Sequence, residues 1–112
     1  MSFTPVCTTT DVPEPGALRV DVDGVPVSIV RSEGTYYAIF DTCSHANVSL
    51  SEGEVEDTSI ECWLHGSRFD LLSGRPTALP ATRPVPIYPV KVDGDAVLVD
   101  VANPINATAK EN

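Results

Sequence analysis

The sequence predicts an all-β domain of antiparallel strands. Two hairpin signals carry that reading: a tight-turn dipeptide between runs rich in valine occurs near the N-terminus and again near the C-terminus. A third observation agrees with them. No stretch of a dozen residues keeps a helical period with capping residues, so little helix is expected. At 112 residues the chain is one domain's worth.

Ala17 to Val22 (ALRVDV) reads as a strand, Asp23-Gly24 as a tight turn, and Val25 to Arg31 (VPVSIVR) as the return strand. Pro26 has no amide hydrogen to donate, which predicts a sheet edge for this stretch. Glu33-Gly34 turns the chain into Tyr36 to Asp41 (YYAIFD), whose aromatic and β-branched content fits a half-buried strand. Ser59 to Cys62 and Ser67 to Leu72 look like short strands, and Ser73-Gly74 turns the second into Arg75-Pro76-Thr77. Ile87 to Val92 (IYPVKV), Asp93-Gly94-Asp95 and Ala96 to Val101 (AVLVDV) make the second hairpin. Three segments break this rhythm: Asp41 to Val55, Trp63 to Gly66, and Leu79 to Pro86 with its three prolines. The domain is expected to span residues 1–101, with 102–112 a polar, frayed tail.

Hydrophobic residues make up 42% and charged residues 21%, ordinary globular values that argue against disorder, collagen and coiled coil. The apolar runs are too short to span a bilayer. Met1 to Pro5 has neither the basic nor the apolar region of a signal peptide, so a cytoplasmic protein with no membrane partner is expected. Sixteen acids against seven Lys and Arg give a net charge of -9. Such a surface repels nucleic acid and suits docking onto a basic partner.

The chain has three cysteines, Cys7, Cys43 and Cys62, and two histidines, His45 and His65. Each histidine lies within three residues of a cysteine, in Cys43-Ser44-His45 and Cys62-Trp63-Leu64-His65. If the two loops converge, two thiolates and two imidazoles suit one metal site. Structural zinc is one candidate for such a donor set. The one-residue spacing of Cys43 and His45 is awkward for a single metal. It suits two adjacent metals, with each loop sending its Cys to one and its His to the other.

The spacing C-x-H, sixteen residues, then C-x2-H resembles the Rieske iron–sulfur signature. The longer run Cys62-Trp63-Leu64-His65-Gly66-Ser67-Arg68-Phe69-Asp70 strengthens the resemblance, which extends from Phe3 to Val101. It implies a Rieske-type fold, an antiparallel β-sandwich or barrel carrying a small cluster-binding subdomain of two loops. It implies one [2Fe–2S] cluster, with Cys43 and Cys62 on the inner iron and His45 and His65 on the outer. Neutral imidazoles in place of two thiolates leave the cluster less negative, which raises its potential above that of an all-cysteine cluster. Such proteins are one-electron carriers rather than enzymes. The chain has no Gly-rich dinucleotide fingerprint, so a flavoprotein reductase must supply the electrons. The acceptor implied is a terminal oxygenase. The stretches Ser44 to Val48 and Ser49 to Glu54 also look like ferredoxins that serve iron–sulfur cluster assembly, an alternative redox client.

The sequence departs from respiratory-chain Rieske proteins in two ways. Their two extra loop cysteines, which form a disulfide, correspond to Val48 and Leu64. Of the serine and tyrosine whose hydroxyls bond to cluster sulfurs, Ser67 is retained but the tyrosine position is Phe69. With one donor fewer, the resemblance implies a potential near the low end of the Rieske range of about −150 to +300 mV. Trp63 and Leu64 are expected to cover the cluster. Cys7 is expected to be a buried or idle thiol. Glu52, Glu54, Glu56, Asp57 and Glu61 read as a solvated face, or else as a docking surface between the ligand loops. Arg68, Arg75 and Arg83 are expected to pair with them.

Overall fold

The computed structural model describes residues 3–42, 49–63, 66–78, 84–102 and 104–105. Its strands are β1 (Thr4–Thr8), β2 (Gly16–Val22), β3 (Val25–Ser32), β4 (Thr35–Phe40), β5 (Val55–Glu56), β6 (Ser59–Glu61), β7 (Arg68–Asp70), β8 (Pro76–Ala78), β9 (Ile87–Tyr88), β10 (Val90–Asp93) and β11 (Ala96–Val99). They form three antiparallel sheets, ordered β1-β11-β10, β2-β3-β4-β9 and β5-β6-β7-β8. Helix among the described residues is confined to single 3-10 turns at Thr9–Asp11 and Leu50–Glu52. None is long and apolar enough to cross a membrane.

The two N-terminal hairpins follow from their turn residues. Asp23-Gly24 takes φ of 51° and 82°, and Glu33-Gly34 takes 53° and 79°. Two consecutive left-handed residues match the right-handed twist of the flanking strands, and glycine fills the second position at little strain. The registers follow, with Val22 opposite Val25 and Ser32 opposite Thr35.

The sheet β2-β3-β4-β9 is the middle layer and is buried on both faces. Val27, Ile29 and Ala38 face one core together with Val12, Val22, Tyr88, Val97 and Val99. Val30 and Ile39 face a second core with Leu50, Ile60, Cys62, Phe69, Leu71, Val85 and Ile87. Burial on both faces explains why VPVSIV is nearly continuous in apolar residues rather than alternating. Tyr36 to Asp41 is likewise more enclosed than a half-buried strand, since Ala38 and Ile39 point to opposite cores.

Two expectations need correction. The Val25 strand is not at an edge, because β3 lies between β2 and β4. Pro26 is accommodated at the end of the β3–β4 ladder, one residue beyond the last pair, Val27 with Phe40. There the Pro26 carbonyl accepts from Asp41 N at 3.0 Å, while the Asp41 carbonyl takes Leu50 N at 2.8 Å. The donor that proline lacks is supplied by another residue. Nor is IYPVKV one strand. Tyr88 pairs with Ala38 in the middle sheet, and Val90 pairs with Val99 in the outer one. Pro89, between them, is where the chain changes sheet, and its carbonyl accepts from Asp100 N at 3.2 Å.

The third sheet lies wholly within the connection between β4 and β9, which are neighbours in the middle sheet. Entry and exit therefore sit side by side, joined by Phe40 N donating to Pro86 O at 2.8 Å. The connection is a small subdomain mounted on one face of the middle sheet. Beyond β11, Ile105 N donates to Ile87 O at 2.8 Å, so the chain is tied to the body at least that far.

Candidate metal centre

The two Cys/His motifs fall on two loops of this subdomain, and each loop is closed at its base. The first spans 43–48. Its flanks Thr42 and Ser49 form an antiparallel bridge, and Leu50 N bonds back to Asp41 O. Asp41 is fully buried. Its carboxylate accepts from the Ser49 hydroxyl and, at 2.8 Å, from Ser51 N.

The second loop joins β6 to β7. Cys62 N donates to Ser67 O at 2.6 Å, and Gly66 N donates to Cys62 O at 3.0 Å. These two bonds make a narrow return. Gly66 takes φ of 78°, a conformation a side chain would strain. The bases of the two loops are in contact. Glu61 N donates to Glu54 O at 2.8 Å, and Gly53 lies against the Glu61 carbonyl so closely that a β-carbon there would meet it. Leu50 and Cys62 share one core. The segment leaving the first loop therefore packs beside the residue that opens the second.

Of the proposed ligands, Cys62 is the one within the described residues. It is fully buried at the end of β6. Cys43, His45 and His65 lie outside the described residues, as do Val48, Leu64 and Arg83. Ser67 and Phe69 are both fully buried, Phe69 in the same core as Cys62. Trp63, expected to cover the cluster, has 53% of its surface exposed. Cys7 lies elsewhere, on β1 opposite Val97, against the other core. Burial, with a smaller contribution from the negative charge of Asp11, pushes its thiol pKa up. A raised thiol pKa leaves less thiolate for metal binding.

The acids between the loops are not uniformly solvated. Arg68 lies 3.4 Å from Glu56 and 3.9 Å from Glu61, the pairing expected of it. Glu52, Glu54 and Asp57 are exposed. Asp41, Ser49 and Gly53 were not singled out by the sequence. A buried aspartate and a close-contact glycine look like loop residues until the chain is folded.

A fully buried thiol at the mouth of one loop, packed beside the exit of the other, fits the donor set in the two motifs. Comparison with known proteins agrees. The chain matches the model of the Rieske [2Fe-2S] domain over residues 2–89. It belongs to the Rieske [2Fe–2S] family. The 3-phenylpropionate/cinnamic acid dioxygenase ferredoxin subunit of Escherichia coli (strain K12) is 45% identical over 85% of this chain and 90% of its own. The ferredoxin of carbazole 1,9a-dioxygenase from Nocardioides aromaticivorans IC177 superposes with a TM-score of 0.83 at 40% identity, over 88% of this chain and 97% of that one. A chain from the complex of reduced oxygenase and oxidized ferredoxin in carbazole 1,9a-dioxygenase gives 0.80 at 35% identity, over 87% and 91%. This chain is thus a Rieske-type ferredoxin, an electron carrier with one [2Fe–2S] cluster. The same membership decides against structural zinc.

Proposed function

We propose that this ferredoxin carries electrons singly from a flavoprotein reductase to a terminal oxygenase, with residues 1–101 as the working unit. Cys43 and Cys62 would hold the inner iron, and His45 and His65 the outer one. When bound, the cluster takes up and gives back one electron. The observation that carries the reading is the change in exposure across one peptide bond. Cys62 is fully buried, and its neighbour Trp63 is more than half exposed. With Cys62 as a ligand, a large exposed aromatic at the next residue would put the redox centre beside a surface suited to a protein partner. The oxygenase, rather than cluster assembly, is favoured as acceptor by the dioxygenase relatives. A cytoplasmic setting, where thiolates stay reduced, suits the ligand set.

The test is reconstitution. A flavoprotein reductase fed with reduced nicotinamide cofactor should reduce the protein, and a ring-hydroxylating oxygenase should reoxidise it with product formed. Failure of reoxidation by oxygenases, with rapid reoxidation by a cluster-assembly system, overturns the assignment of acceptor. In the same assay Trp63→Ala should raise the half-saturating ferredoxin concentration about tenfold, as loss of an aromatic hot spot does. Its visible spectrum should not change. Rising salt should also slow turnover, since the net charge of -9 is screened over about 8 Å at physiological ionic strength.

Ser67 and Phe69 give a further prediction. Ser67 follows the loop glycine and is fully buried. If its hydroxyl donates toward the cluster, Ser67→Ala lowers the reduction potential. Phe69→Tyr adds a donor and raises it. Voltammetry of the two variants measures both shifts, and two unchanged potentials would remove these residues from the site.

A further inference from the structure

We infer that Asp41 is a positioning residue for the first ligand loop, its buried carboxylate holding the two flanks of segment 43–48 in register so that the loop retains the cluster. Four hydrogen bonds meet at this residue. Its amide donates to Pro26 O at 3.0 Å, and its carbonyl accepts from Leu50 N at 2.8 Å. Its carboxylate accepts from the Ser49 hydroxyl on one oxygen and from Ser51 N, at 2.8 Å, on the other. One side of the residue is thus bound to the rigid middle sheet. The other is bound to three consecutive residues on the far side of the loop.

The segment between them is six residues long and carries Cys43 and His45. A loop clamped at both ends has fewer conformations to lose when its side chains ligate metal. Groups that orient metal ligands without touching metal contribute substantially to metal retention. A buried carboxylate suits this task because it only accepts hydrogen bonds, and both its oxygens take donors from the returning segment.

The simpler reading is that Asp41 is there to pair with Arg19, whose guanidinium lies 3.6 Å away. That guanidinium is half exposed and also lies 3.4 Å from Asp21. Solvent at the half-exposed guanidinium and its sharing with Asp21 weaken its hold on the buried carboxylate. The Ser49 and Ser51 donors are closer and come from the loop itself, so they carry the argument.

The experiment follows loss of iron from the holoprotein to an excess of chelator, together with the electron paramagnetic resonance spectrum of the dithionite-reduced protein. Asp41→Ala should lose iron about tenfold faster than the parent and give a broadened or shifted spectrum. Asp41→Asn should fall between them, because its amide oxygen can still accept from Ser51 N. Arg19→Ala should match the parent in both readouts. Parent-like iron retention and spectrum in Asp41→Ala overturn the inference, as does an Arg19→Ala defect equal to that of Asp41→Ala. Should Asp41→Ala not accumulate as holoprotein, Ser49→Ala decides. Faster iron loss supports the clamp, and parent-like behaviour of both Ser49→Ala and Asp41→Asn overturns it. The inference rests on Cys43 and His45 being ligands. Retention of the cluster by Cys43→Ser would overturn that assignment, an outcome separable from anything seen at Asp41.

Discussion

Cys62→Ser should give a protein without its red-brown colour and with little iron, while the parent holds about two irons and two acid-labile sulfides per chain. The thiolate is the group that anchors ferric iron, and a serine hydroxyl stays protonated at neutral pH. Cys62 has no substitute nearby among the described residues. The other described cysteine, Cys7, sits on β1 against the opposite core, where its thiol is partly buried and its pKa raised. Cys7→Ser should therefore keep iron, sulfide and spectrum. Iron and sulfide analysis with visible absorption checks all three proteins. Bleaching of Cys7→Ser, or one zinc and no iron in the parent, would contradict the ligand assignment.

Gly53→Ala should be the most destabilising conservative change in the subdomain. The added β-carbon would overlap the Glu61 carbonyl oxygen and lie 2.8 Å from its carbon. Both are backbone atoms, so no side chain can rotate away. The Gly53 φ of -87° is ordinary for any residue, and the effect is therefore steric rather than conformational. Overpacking of this kind costs about 1–3 kcal/mol. In a domain of this size that lowers the melting temperature by roughly 5–20 °C. The displacement acts on the residue just before Cys62, so cluster retention should fall together with stability. Thermal unfolding of the holoprotein followed at the cluster absorbance is the measurement. A melting temperature within about 2 °C of the parent would mean that the Gly53–Glu61 approach relaxes without loss.

Features governed by neighbours in the chain could be read directly. Both left-handed hairpin turns lie where Asp-Gly and Glu-Gly predicted them, because a two-residue turn is decided by its own φ values. The short strands around Cys62, and the absence of long helix among the described residues, also follow from local pattern. The prolines depend on distant partners. By sequence Pro26 marks an edge, yet it sits in an interior strand because Leu50, twenty-four residues on, donates to the Asp41 carbonyl left without its partner. Pro89 stands inside an apolar run that reads as one strand, and it is where the chain crosses between sheets. Trp63 is large and apolar, yet over half of it remains exposed, because burial is set by what packs against a residue.

By itself the sequence determined the all-β class, the two turns and the pairing of each histidine with a cysteine, whose resemblance to the Rieske signature implies the cluster and the carrier role. All of these are written in residue type and short spacing. Only the tertiary structure decided that the middle sheet is buried on both faces, that the subdomain with the two motifs is carried between β4 and β9, and that Asp41 and Gly53 meet their partners at the bases of its loops. The reason is that burial and close approach depend on residues far apart in the chain. Asp41 meets Pro26 on one side and Ser51 on the other, and Gly53 meets Glu61, and no local pattern marks an aspartate or a glycine for such a partner.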